Sequence, residues 1–162
     1  MKKKILIILC IFWFAFIYYN SSKTGLESNK MSYKVVNTIA NKNVAEERGS
    51  YFGGSFNKFI RKNAHLIEYF VLSILLGIVF FRYNKRGIDG VVYILFVVLL
   101  FALSDEFHQL YVEGRNSKVI DIVIDFVGGV IGTIVFYLCY YVLIPKFKII
   151  NAKRKGSIYD KK

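Results

Sequence analysis

The sequence predicts an all-α membrane protein: a four-helix transmembrane bundle with an extracytoplasmic loop that holds an amphipathic interfacial helix. Three observations carry this. The 162 residues are 55% apolar and 17% aromatic with a single proline, far more apolar surface than a soluble domain of this size can bury. The apolar residues gather into four segments of spanning or near-spanning length. The charges, +12 net, lie in blocks between those segments. In a soluble chain such a charge raises nucleic-acid binding, but there is no basic stripe and no basic-aromatic surface pattern. The blocks read as membrane flanks, and nucleic acid is set aside as a partner.

Taken in order, residues 5–19 form the shortest span, roughly 22 Å of helix against a hydrocarbon core of about 30 Å, so Lys4 must snorkel and Tyr18 and Tyr19 must sit at the far interface. An MKKK start before a short apolar run also resembles an export signal, but no A-x-A site follows it. The spans 64–81, 91–112 and 119–144 are each long enough to cross with tilt. Cys10 and Cys139 fall inside predicted helices and read as small packing residues without a disulfide.

Four crossings put both termini on one side. Lys2, Lys3 and Lys4, then Arg82, Lys85 and Arg86, then the basic tail at 145–162 share that side, which the positive-inside rule assigns to the cytoplasm. Residues 20–63 and 113–118 are then outside. Within the long outer loop, NSSKTG at 20–25 is a turn-rich exit from the first helix, and Met31, Val35, Ile39 and Lys42 share one side at i, i+4 spacing over 31–48. That pattern fits a helix lying along the membrane surface, with a solvated loop as the competing reading.

This topology sets the depth of the polar residues. Glu68, Asp105 and Asp125 each come about 9 to 12 Å below the outer rim, one from each of three helices. His65 and Tyr69 are i, i+4 on the second span, Asp105, His108 and Gln109 lie on one side of the third, and Asp121 and Asp125 are i, i+4 on the fourth. Lys62 and Arg115 sit above them. An acidic side chain at a helix centre costs roughly 2.5 to 3.5 kcal/mol, less near the interface, so Glu68, Asp105, Glu106, Asp121 and Asp125 must face one another, a cation or water. An interhelical polar clamp would need two or three such groups. This chain uses about ten, which favours a polar pocket open to the outer leaflet. Gly128 and Gly132, on the stripe of Asp121 and Asp125, form a small-xxx-small pair that seals the pocket floor by helix packing.

K-N-A-H-L-I-E-Y at 62–69, S-D-E-F-H-Q at 104–109, G-R at 114–115 and D-I-V-I-D-F-V-G-G-V-I-G at 121–132 together resemble the signature of the VanZ-like family, small bacterial membrane proteins named for a teicoplanin resistance determinant. The resemblance covers the whole chain, including the SSKTG exit from the first helix. It carries the family's polar pattern onto Lys62, His65, Tyr69, Ser104, Asp105, Glu106, Gln109, Arg115, Asp121, Gly128 and Gly132. Glu113 stands where a proline often precedes the Gly-Arg pair, and Asp125 where Asn is frequent; Glu68 and His108 are particular to this chain. The resemblance implies a multi-pass cell-membrane protein conferring low-level resistance to lipoglycopeptides such as teicoplanin, without a settled biochemical mechanism.

The expected partners are membrane lipid and either a lipoglycopeptide or a lipid-linked cell-wall precursor, with Lys62 and Arg115 meeting phosphate or carboxylate and the carboxylates meeting an amine or a metal. The alternative is a membrane enzyme acting on an outer-leaflet lipid or precursor, because His65, Glu68, Asp105, His108, Asp121 and Asp125 are residue types that a divalent metal or an acid/base pair would use. No local spacing fixes such chemistry: H-E-x-x-H, P-loop and G-x-S-x-G motifs are all missing, and Ser104 beside Asp105 reads more readily as a polar packing pair than as a nucleophile. A transporter or channel is disfavoured because the inner halves of the spans carry almost no polar residue.

Overall fold

The computed structural model describes residues 2–40 and 51–143. Five α-helices follow one another: α1 (Lys2–Ser21), α2 (Gly25–Ala40), α3 (Tyr51–Arg82), α4 (Ile88–Gln109) and α5 (Val119–Leu138), the last running on as one π-helical turn, Cys139–Leu143. The all-α class is as the sequence predicts. Four stretches are long and apolar enough to cross a membrane: Lys4–Ser21, Phe59–Arg82, Ile88–Gln109 and Val119–Val142. Between 17 and 33% of the most apolar part of each stretch is buried inside the protein, and many side chains of α1, α4 and α5 face outward. Ile8 and Phe12 on α1, Phe96 and Leu100 on α4, and Val123, Val127, Ile131 and Ile134 on α5 are such residues. In water this surface would drive association; in lipid it is the ordinary exterior of a membrane bundle.

The helix ends differ from the expected spans for identifiable reasons. The first span reaches beyond Tyr19 because Asn20 and Ser21 find partners inside the bundle, giving 18 residues and roughly 27 Å of helix. α4 starts at Ile88, and it stops at Gln109, not at residue 112, because Leu110, Tyr111 and Val112 tighten into i→i+3 hydrogen bonds of 3.3, 3.0 and 3.2 Å. Ile144 and the basic tail at 145–162 lie outside the described residues, as does 41–48 of the expected surface helix.

That helix begins earlier than the apolar spacing suggests. Thr24 and Glu27 make a capping box: Glu27 N–H donates to Thr24 Oγ1 at 3.3 Å and Thr24 N–H donates to Glu27 Oε2 at 3.2 Å. α2 therefore starts at Gly25. Its inward face is polar, with Ser32 buried and Asn29 half-buried, while Leu26, Met31 and Val35 are exposed.

α3 is central and packs on every other helix. Its closest neighbour is α5, where the backbones nearly touch: a Cβ at Gly128 would run into the Leu66 carbonyl, and one at Gly132 into the Phe70 carbonyl and Ser73 Oγ. Gly129 faces α4 instead, against Val98. Leu72, Ile94, Val98 and Ala102 form the apolar centre, onto which α1 packs through Cys10 and Ile17. Trp13 Nε1 donates to the Glu68 carbonyl at 3.0 Å, and the Phe14 and Phe101 rings stack at 3.5 Å. Both cysteines are free thiols. At the terminal end of the bundle, Phe81, Phe136, Tyr137, Tyr140 and Tyr141 cluster edge to face, and the Tyr137 and Tyr141 hydroxyls donate to the carbonyls of Gly87 and Arg86, pinning the α3–α4 turn.

Candidate functional site

The polar residues converge at the opposite end, where α1 and α4 finish and α3 and α5 enter the apolar layer. A cavity of about 420 Å³ opens there, lined from α2 by Asn29 and Tyr33, from α3 by Arg61, Lys62 and His65, from α4 by Glu106 and Gln109, from the α4–α5 loop by Gly114 to Asn116 and Lys118, and from α5 by Asp121, Ile124 and Asp125. Its upper wall is cationic and its floor acidic.

Two of the expected residues meet on the rim: Lys62 Nζ pairs with Asp121 Oδ1 at 2.8 Å, both partly exposed. His65 and Asp125 line the floor, and Asp105 stands behind them, outside the lining. Ligand atoms of His65 on α3, Asp105 on α4 and Asp125 on α5 all lie within 4.8 Å of one another, with Asp105 and Asp125 buried. Tyr69, one turn after His65, is fully buried, and its hydroxyl has no hydrogen-bond partner among the described residues.

The end of α1 holds this floor from behind. Glu68 Oε2 stands 3.2 Å from His65 Nδ1, and Glu68 Oε1 accepts from Asn20 Nδ2 at 2.8 Å. Gln109 Nε2 donates to Asp105 Oδ2 at 3.1 Å and to the buried Ser21 hydroxyl at 2.8 Å. Glu68 thus faces α1 and reaches the floor only through His65.

Other expected residues are placed elsewhere. Ser104 is exposed, as are its neighbours Leu103 and Phe107, so it does not join the site. His108 does not share a side with Asp105 and Gln109: it turns to α1, with Nδ1 2.9 Å from the Tyr18 hydroxyl, Nε2 3.1 Å from the Ser22 hydroxyl, and its ring 4.3 Å from that of Tyr18. With both ring nitrogens engaged it is a strut between α1 and α4. Glu106 is buried and lines the cavity, yet its Oε2 accepts from Ser117 Oγ and, at 3.0 Å, from the Lys118 N–H, which caps the start of α5.

Arg115 is likewise a structural residue first. Its Nε donates to the Lys23 carbonyl at 3.1 Å and its Nη2 to the Asn20 carbonyl at 3.3 Å, so the guanidinium closes the carbonyl end of α1. Burial lowers its pKa, as does Arg61, while Asp105 and Glu106 pull the other way. An arginine starts so far above neutrality that it keeps its charge. Gly114, with φ of 71°, permits the turn that delivers Arg115 to this position.

Several residues of the site carry no motif of their own. Arg61 reaches the cavity and donates to Asn29 Oδ1 at 3.4 Å; Asn116 and Lys118 complete the rim. Asn20 and Ser21 sit in a stretch that reads as a turn-rich exit and prove to be the inner support. The signals available in the sequence were the capping box, which fixes where α2 starts, and the adjacency of Arg61 to Lys62.

Compared with known proteins, residues 6–140 match a family model described as VanZ/LLP1. No curated protein and no solved structure matches the chain.

Proposed function

The chain belongs to the VanZ-like family, and on that footing we propose that it is a bacterial cell-envelope protein whose cavity takes the charged head of an outer-leaflet amphiphile, a lipoglycopeptide of the teicoplanin type or a lipid-linked cell-wall precursor, and so gives low-level tolerance to such antibiotics. One observation carries the reading: a cavity of about 420 Å³ at one end of a membrane bundle, with Arg61, Lys62, Arg115 and Lys118 around an acidic floor. Cations at headgroup depth favour phosphate and carboxylate, while the outward apolar faces of α1, α4 and α5 give an acyl chain a surface beside the opening. The short α3–α4 turn with Arg82, Lys85 and Arg86, together with Lys4 beside the first span, supports a cytoplasmic location for both termini and an outward-facing cavity.

The test is survival of a sensitive Gram-positive host expressing the protein, challenged with teicoplanin and with vancomycin as the tail-less comparison. Selective protection by the wild type, lost in Arg61→Gln and Lys118→Gln at equal membrane levels, is the expected result. No protection by the wild type sinks the antibiotic reading; equal protection by both variants sinks the role of the cationic rim. The His65–Asp105–Asp125 cluster, with both carboxylates buried, is the observation that favours the second reading, a metal-dependent membrane enzyme acting on the same class of lipid.

A further inference from the structure

We propose that His65, Asp105 and Asp125 bind one divalent first-row cation, Mn²⁺ or Zn²⁺, at the floor of the cavity. The three donors come from α3, α4 and α5 and lie within 4.8 Å of one another. An ion about 2.1 Å from each would hold them roughly 3 to 4 Å apart, so the closure required is on the order of 1 Å, within the reach of side-chain rotation.

Electrostatics favours a cation here. Asp105 and Asp125 are only 4% and 2% exposed, and among the described residues neither is ion-paired: the two pairs are Lys62 with Asp121 and Glu68 with His65. Two neighbouring carboxylates at membrane depth repel one another and have lost most of their hydration, a cost of several kcal/mol that a bound divalent ion removes.

Orphaned atoms beside the cluster point to a ligand independently of its charge. Asp105 Oδ1 and the Tyr69 hydroxyl are both buried without a hydrogen-bond partner among the described residues. Tyr69 lies one turn after His65 on α3 and is completely enclosed. A buried hydroxyl left unsatisfied costs about 1 to 3 kcal/mol. A hydrated ion among the three donors gives both atoms a partner.

The donors are also held as ligands are. Glu68 Oε2 stands 3.2 Å from His65 Nδ1 and its Oε1 is held by Asn20, so a fixed carboxylate flanks the imidazole as one does beside many metal-bound histidines. Gln109 occupies Asp105 Oδ2 and leaves Oδ1. One imidazole and two carboxylates suit Mn²⁺ or Zn²⁺ better than Ca²⁺, which takes oxygen donors. His65 and Asp125 both line the cavity, which gives the ion a way in and leaves coordination positions facing the space where the amphiphile head would sit.

The site shares with the proposed function only its location, and it is tested with metal alone. The purified full chain in detergent, stripped with EDTA, is titrated with Mn²⁺ followed by electron paramagnetic resonance, with Zn²⁺ as competitor. The expected result is one Mn²⁺ per chain, displaced by Zn²⁺, with ¹⁴N modulation from His65. Binding weakens at least about tenfold in Asp105→Asn and Asp125→Asn, the ¹⁴N signal disappears in His65→Gln, and His108→Gln binds as the wild type does. Absence of ¹⁴N modulation in the wild type, or binding that survives in both Asp105→Asn and Asp125→Asn, overturns the proposal. The wild-type spectrum decides even if a variant fails to fold. A protein that binds Mn²⁺ but gives no protection keeps this site and loses the antibiotic reading, and the reverse outcome separates them equally.

Discussion

The backbones of Gly25 and Gly114 are in contact. Gly25 N–H donates to the Glu113 carbonyl at 3.0 Å, and a Cβ on Gly25 would land on the Gly114 carbonyl oxygen. The corner between α1 and α2 is thereby laid across the α4–α5 loop, which brings Arg115 to the end of α1 and closes one wall of the cavity.

Two substitutions at that crossing should differ in cost. Gly114→Ala forces a left-handed φ on a residue with a Cβ and is expected to destabilise by about 1 to 2 kcal/mol. Gly25→Ala must push two backbones apart and should cost more. Thermal unfolding of the detergent-solubilised protein gives the order, and the opposite order would show that the loop yields easily.

The glycines of α5 should divide by what they face. Gly128→Ala and Gly132→Ala set a methyl against the carbonyls of Leu66 and Phe70 and are expected to lose about 1 to 3 kcal/mol each. Gly129→Ala meets only the Val98 side chain, which can rotate, so it should be milder. The same unfolding assay distinguishes them.

Arg115→Gln should loosen α1, because the carbonyls of Asn20 and Lys23 lose a charged donor worth about 1.5 to 3 kcal/mol. Trp13 is the chain's one tryptophan and is bonded to the Glu68 carbonyl from α1, so its fluorescence reports α1 docking. A lowered midpoint followed at Trp13 is the expected outcome; an unchanged one would make Arg115 a cavity residue only.

Lys62→Gln separates function from stability. Its pair with Asp121 is partly exposed and should contribute less than about 1 kcal/mol, so the unfolding midpoint should barely move. Protection against teicoplanin should nevertheless fall, since a rim cation is gone. If stability falls with protection, the pair is structural.

The spans were legible because long apolar runs need no partner to be recognised, whereas the helix ends and the facing of individual side chains depend on neighbours. The spacing of Met31, Val35 and Ile39 points to a helix over 31–48, but Thr24 and Glu27 cap one at Gly25, and the cap decides because it satisfies backbone donors that nothing else reaches. His108 and Gln109 are adjacent in sequence and about 100° apart around the helix, enough for one to meet Tyr18 and the other Asp105. Ser104, next to Asp105, turns outward for the same reason. The shared depth of Glu68, Asp105 and Asp125 was readable, but in the cluster His65 takes the place expected of Glu68, which turns toward Asn20; that facing and the supporting roles of Asn20 and Ser21 depend on how α1 docks, which no local pattern encodes.

The tight seam between α5 and α3 has a consequence for traffic. Below Asp125 the two backbones leave no gap, and the lower half of the bundle is filled by Leu72, Ile94, Val98 and then a plug of rings around Phe81. Among the described residues that packing lies between the chamber and the terminal end, so a membrane-impermeant reagent should reach the chamber floor from one face of a sealed vesicle and not from the other.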